Sequence, residues 1–362
     1  VALVQEPSLC AQTLDMMYHL SSREEDRQKM FEAGITPDMI DLLQHIPSTR
    51  KLEKGLAGLL MNMTLHPLCC EELIQLGAID HIFRIIQKSQ KSQRDDTKQV
   101  LLKALRNLSR WTKFLQCRLQ ATLEIQDVTP LLGVAKDPAS YMHTVKEEGV
   151  GDNVVSQTSL YWEKHFWDAH VDFIMKHSFH CDNDELLIEW MGILTYLTVD
   201  DLPGGVQWHD LLDDHHLSIV EHFQKLLDPC HDDLKLESII WLGELCSSKE
   251  CSYWIASTNL IDIIHNLLGQ CSTKKEQDAE MRLQILLTYE QFLLYEETRF
   301  QVVGGDDVVD QILDCLKEES SLRLAAETCL ILIEDFDRDE DGVPGEIGTF
   351  ILQRRYEEMI GC

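Results

Sequence analysis

Positive charge is scarce in this sequence. Thirty-two lysines and arginines stand against 62 aspartates and glutamates, a formal net charge of -30, so the summed field repels phosphate backbones and anionic lipid headgroups. Nucleic acid and membrane surfaces are not expected partners. No apolar run nears the roughly 20 residues that cross a bilayer, and membrane insertion is not expected either. The twelve cysteines form no CxxC pair and keep no regular spacing, and Cys69 and Cys70 are neighbours. That pattern gives no basis for a disulfide framework or a zinc module, and reduced, mostly buried cytosolic thiols are the expectation. GxSxG, a phosphate-binding glycine loop and any catalytic setting around a cysteine are also missing, so no enzyme activity and no cofactor are expected.

What is present is an ordinary globular balance, 44% hydrophobic and 26% charged, arranged with a helical period. In ITPDMIDLLQHI the apolar residues Met39, Leu42, Leu43 and Ile46 fall at i, i+3, i+4 and i+7. The same phase recurs in GAIDHIFRII (Ile79, Ile82, Phe83, Ile86), NLIDIIHNLL (Leu260, Ile263, Ile264, Leu267) and DDVVDQILDCL (Val309, Ile312, Leu313, Leu316). LSIVEHFQKLL repeats it with Ile219, His222, Phe223 and Leu226. Each buries one stripe of a helix. Gly34, Gly77 and Gly304 suit the ends of preceding short helices, and Thr36 before Pro37 suits an N-cap with proline in the first turn.

Each of these helices follows a more apolar one ending in HLS (19–21), NMT (62–64), NLS (107–109), YLT (196–198) or ELC (244–246). The central residues Leu20, Met63, Leu108, Leu197 and Leu245 are separated by 43, 45, 89 and 48 positions. A two- or three-helix unit every forty-odd residues is the signature of an armadillo or HEAT solenoid. Burying one Leu or Ile is worth about 1.5–3 kcal/mol, so units with four such residues per helix must cover one another. The expected fold is all-α, an α-solenoid of about six to seven repeats with a long insertion. Repeats are expected over 1–109 and 163–334, a partly disordered insertion over 110–162, an acidic loop over 335–348 and a terminal helix over 349–362. The chain opens on VALVQEP without methionine and stops just after a helical pattern, as expected of a fragment.

Read in order, CAQTLDMMYHLS, LLMNMTLHPLCCEELIQLG, LLKALRNLS, LLIEWMGILTYLTVDDL with Trp208 beyond it, and LILIEDFD before ILQRRYEEM resemble consecutive armadillo repeats of the kinesin-associated protein family. The likeness covers most of the chain, and the order of the segments and LTVDDL carry it. The long insertion, GGVQ before Trp208 and GVPGEIG in the acidic loop depart from the family pattern and mark a divergent homologue. The resemblance implies a non-motor subunit of heterotrimeric kinesin that binds the coiled-coil tails of a heavy-chain heterodimer. It also implies a link to cargo adaptors, such as intraflagellar transport assemblies, and a cytoplasmic location on the cytoskeleton or in the cilium. A general armadillo interaction scaffold and a calcium-responsive solenoid are the alternatives.

Several side chains invite chemistry. DFDRDEDGVPGEIG puts Asp337, Asp339, Asp341 and Gly342 where a calcium loop begins, but its twelfth place is Gly348 and Pro344 interrupts it. Losing the bidentate carboxylate leaves too few of the six to eight oxygens calcium takes, so a solvated acidic turn is expected and the three aspartates remain a weak calcium candidate. DDHHLSIVEHF gathers His215, His216 and His222 beside Asp213 and Asp214 without a known metal spacing, so a polar turn is expected. A solenoid offers a groove built by its longer helices to a peptide or helix. Asn62 and Asn107, with Tyr196 and Glu244 at the matching positions and Trp190 and Trp241 about a turn earlier, are the expected partner contacts. The other reading places the asparagine bonds inside the solenoid and the tryptophans in its core.

Overall fold

A computed structural model describes residues 7–45, 50–89, 95–127, 168–197, 219–227, 231–271, 276–304, 307–318, 321–337 and 343–360. These are helical almost throughout, and the only extended pairing assigned among them is a bridge residue at Pro344. Two compact units divide the chain, residues 1–197 with 201–206 and residues 198–200 with 207–362.

The first unit holds α1 (Pro7–Leu20), α2 (Glu24–Glu32), α3 (Ile35–His45), α4 (Arg50–Met63), α5 (Pro67–Gln75), α6 (Ala78–Ser89), α7 (Asp95–Asp127), α8 (Asp168–Phe179) and α9 (Asp184–Leu197). In the second, α10 (219–227) precedes α11 (Asp232–Leu245), α12 (Lys249–Ala256), α13 (Leu260–Gln270), α14 (Glu276–Leu293), α15 (Glu296–Val303), α16 (Val308–Cys315), α17 (Ser321–Phe336) and α18 (Glu346–Ile360). Both units are armadillo-type stacks. In the first, α1 packs on α4, α4 on α7 and α7 on α9; in the second, α11 packs on α14 and α14 on α17. Beside these long helices run rows of shorter ones, α3 on α6 in the first unit and α12 on α15 and α13 on α16 in the second.

The recurring tripeptides have a local cause. Ser21 Oγ donates to Tyr18 O at 2.8 Å and Thr64 Oγ1 to Met61 O at 2.8 Å, each reaching back three residues to a carbonyl that the helix end would otherwise leave unpaired. Ser109 behaves differently. Its Oγ reaches back four residues to Leu105 O at 2.9 Å, as Thr112 does to Leu108 O at 2.9 Å, a geometry that continuing helix accommodates. So α7 does not stop at the NLS ending and runs on to Asp127, through eighteen residues without glycine or proline. The rest of the expected insertion, 128–162, lies outside the described residues, as do His215, His216 and the LTVDDL turn.

The predicted stripe of α6 is wholly buried, and so is that of α10, His222 included. In the other three helices the buried arc is turned by a residue. Ile40, Ile261, Val308 and Cys315 are buried, while Leu42, Ile263 and Val309 stay half-exposed. A helix flanked by a long helix on one side and a short one on the other buries more than one stripe, so a single periodic template misses part of it.

Gly34 and Gly77 take φ values of 76° and 77°, the left-handed turn that closes α2 and α5 at no steric cost. Gly304 follows α15 with an ordinary φ of -74°, and the left-handed residue before α16 is Asp307 at 64°. α3 begins at Ile35, ahead of the expected cap. Thr36 is buried there, its Oγ1 3.7 Å from Cys69 Sγ, and caps nothing.

Candidate interaction surface

The structure sorts the expected contact residues into core, ties and surface. Trp190 and Trp241 are fully buried. Trp190 lies edge-on to Phe173 with ring centroids 6.1 Å apart, and Trp241 stacks on Phe223 at 4.8 Å, so both pin a long helix to the shorter helix behind it. Neither presents area to a partner, which corrects the hot-spot reading: an indole this large is sheltered more cheaply in the core than on an exposed face.

Asn62 is buried, and its Nδ2 donates to Tyr18 O at 3.1 Å and Ser21 Oγ at 3.0 Å. Asn107 is half-buried and donates to Thr64 Oγ1 at 3.1 Å. Each asparagine therefore ties the end of one long helix to the end of the one before. Tyr196 and Glu244 are half-buried at the ends of α9 and α11, in different units.

The acidic loop has a structural task. Gly348 N–H donates to Asp337 Oδ2 at 2.6 Å and Gly345 N–H to Asp337 O at 2.7 Å. The Asp337 carboxylate thus caps the first turn of α18. A Cβ at Gly345 would stand 2.6 Å from Asp337 Oδ1, so glycine permits the close turn. Asp339 and Asp341 lie outside the described residues, and no cluster with metal-ligating geometry occurs among the described ones.

The surface with recognition potential is one that periodicity did not single out. Along the long helices of the second unit, apolar side chains point away from the core: Leu287 on α14 and Leu294 in the turn just past it, and Leu324 and Ile331 on α17, from 39% to 65% exposed. Leu236, Ile240 and Leu283 are half-exposed on α11 and α14. Leu324 and Ile331 are seven residues apart, so they keep to one face of α17. The sign was available in SLRLAAETCLILIEDF, where Leu324 and Ile331 fall out of phase with the buried set Leu322, Ala325, Cys329 and Ile333.

Carboxylates border this ridge. Glu237, Glu244, Glu290 and Glu327 are half-exposed on the same three helices. At the head of α11 and α14, a cleft of about 550 Å³ is lined by Asp232, Asp233, Asp278 and Glu280 together with Leu236. Lys235 also lines it, 3.5 Å from Asp232. An apolar ridge that begins in an acidic cleft is complementary to an amphipathic helix with basic flanks. No described helix is long and apolar enough to cross a membrane.

The family model described as kinesin-associated protein matches residues 153–341, a stretch that contains the whole ridge. Among solved structures, an engineered protein from the Northeast Structural Genomics Consortium is similar at TM-score 0.56 and 15% identity over 99% of this chain and 82% of its own. A second engineered protein from that consortium is similar at TM-score 0.54 and 14% identity, over 86% of this chain and 98% of its own. A designed armadillo repeat protein overlaps more loosely, at TM-score 0.39 and 13% identity over 92% of this chain. At these identities the likeness concerns fold alone.

Proposed function

Because the chain belongs to the kinesin-associated protein family, we propose that it is a non-enzymatic adaptor whose second unit receives the coiled-coil tail region of a kinesin heavy-chain heterodimer. The observation that carries this reading is the ridge of Leu287, Leu294, Leu324 and Ile331 with its carboxylate border. Coiled-coil segments are amphipathic, and their basic stretches would be drawn to the acidic cleft at the ridge's head. Other surfaces would then be left for cargo adaptors in microtubule-based transport, including intraflagellar transport, with a cytoplasmic location on the cytoskeleton or in the cilium. Half-buried Tyr196 and Glu244 remain candidate contacts at the ends of their helices.

The test is reconstitution with the tail segments of two different kinesin heavy chains, scored by co-elution and titration calorimetry. Leu324→Glu and Ile331→Glu place a charge on the ridge, and each should weaken binding about tenfold or more. Leu65→Glu, at an exposed leucine of the first unit, serves as the control and should leave affinity unchanged. Full affinity in both ridge variants, or binding to neither tail, would overturn the assignment.

A further inference from the structure

The first unit carries a surface of the opposite character. A cleft of about 570 Å³ opens between the start of α7, the end of α8 and the start of α9, lined by Lys98, Lys176, His177 and His180. Asp182 is the lone carboxylate among its described lining residues. Several other cations in this acidic chain face carboxylates: Lys103 and Arg106 lie 3.9 and 3.8 Å from Glu189, Lys249 2.7 Å from Glu297 and Arg282 3.1 Å from Glu318. No ion pair among the described residues engages Lys98 or Lys176, even though acids outnumber bases 62 to 32.

The two imidazoles are held in a defined pose. His177 Nδ1 is 2.7 Å from Phe173 O and His180 Nδ1 2.9 Å from Lys176 O. A carbonyl only accepts, so Nδ1 carries the proton in both rings and the Nε2 edge is turned away from the α8 backbone. Burial, and then the charges of Lys98, Lys176 and His180, hold the His177 imidazole below its ordinary pKa, opposed by the bond to Phe173 O.

We propose that this cleft is an anion site for the phosphate of a phosphoserine or phosphothreonine on a partner segment. Two ammonium groups from different helices act as point charges on a tetrahedral dianion. No arginine is among its described lining residues to supply the planar fork that suits a carboxylate. The volume exceeds that of a bare ion and leaves room for the chain that carries the phosphate. The site lies in the first unit and does not depend on the ridge.

Fluorescence anisotropy at low salt tests this on the full chain with a labelled glycine–serine heptapeptide bearing one central phosphoserine, against its unphosphorylated form. Inorganic phosphate is the competitor. The phosphopeptide should bind and the unphosphorylated one should not. Lys98→Glu and Lys176→Glu should each weaken binding about tenfold, with melting curves confirming that the variants fold, while Lys51→Glu on α4 should change nothing. Equal binding of the two peptides, indifference to both lysine reversals, or an equal loss in Lys51→Glu would overturn the site. Inorganic phosphate binding as tightly as the phosphopeptide would overturn the peptide as its source.

Discussion

Gly192 offers a sharp test of how the long helices of the first unit are held in register. It sits mid-way along α9, where glycine costs about 1 kcal/mol relative to alanine, and propensity alone predicts that Gly192→Ala stabilises the protein. The structure predicts the reverse. A Cβ at 192 would stand 2.3 Å from Arg106 Nε and 2.4 Å from Cζ, so the guanidinium would have to leave its place on α9. Arg106 lies 3.8 Å from the carboxylate of Glu189, which is buried, and Lys103 lies 3.9 Å from the same carboxylate.

Removing one partner of a buried ion pair costs about 3–5 kcal/mol. The separations here are long and Lys103 stays, so a loss of about 2–3 kcal/mol is the appropriate scale. Against the propensity gain, Gly192→Ala should destabilise by about 1–2 kcal/mol, read as a lower urea midpoint at unchanged m. Introducing the same substitution beside Glu189→Gln removes most of the electrostatic loss and should leave a cost near zero or a small gain. If Gly192→Ala stabilises the protein in both backgrounds, the Arg106–Glu189 contact is not what glycine protects at this position.

Trp241→Phe and Trp190→Phe should lower stability by about 1–3 kcal/mol through the volume they vacate, with tail affinity per folded molecule unchanged in calorimetry; a tenfold affinity loss without destabilisation would restore them as contacts. Asp337→Ala should cost about 1 kcal/mol as a lost cap, and neither calcium nor chelator should move the melting temperature of either form. Burial raises the Cys69 thiol to about 11, and Cys271 likewise to about 11, leaving little thiolate at pH 8. Brief iodoacetamide treatment followed by peptide mass spectrometry should therefore label half-exposed Cys181 before Cys69, Cys271, Cys70 or Cys246 among the described cysteines. Raising the pH towards 11 should speed labelling at Cys271 more than at Cys70, whose thiol is pushed well above the ordinary range.

Repeat architecture was legible because it rests on local pattern. The stripe of α6 and the spacing of Leu20, Met63 and Leu108 follow from 3.6 residues per turn and the recurrence of one unit. The recognition surface was less so. Ile331 and Leu330 are adjacent and chemically alike, yet one is half-exposed to solvent and the other fully buried, a difference set by which flank of α17 meets α14 and α16. Asn62 shows the same limit in polar form. An amide at a helix end suits a partner's backbone as well as it suits Tyr18 O, and only the neighbouring helix end, 3.1 Å away, decides between them. The path of α7 past Ser109 turns on whether a hydroxyl reaches back three residues or four, which no residue type specifies.

Within each unit, the main contacts between long helices run from each one to the long helix before or after it among the described residues. Such a stack transmits tension through successive nearest-neighbour joints, with no distant brace to share it. Pulled from its ends, either unit would yield in discrete steps of about one repeat, and each yielded step would let out slack before its neighbour is strained, the behaviour of a shock absorber.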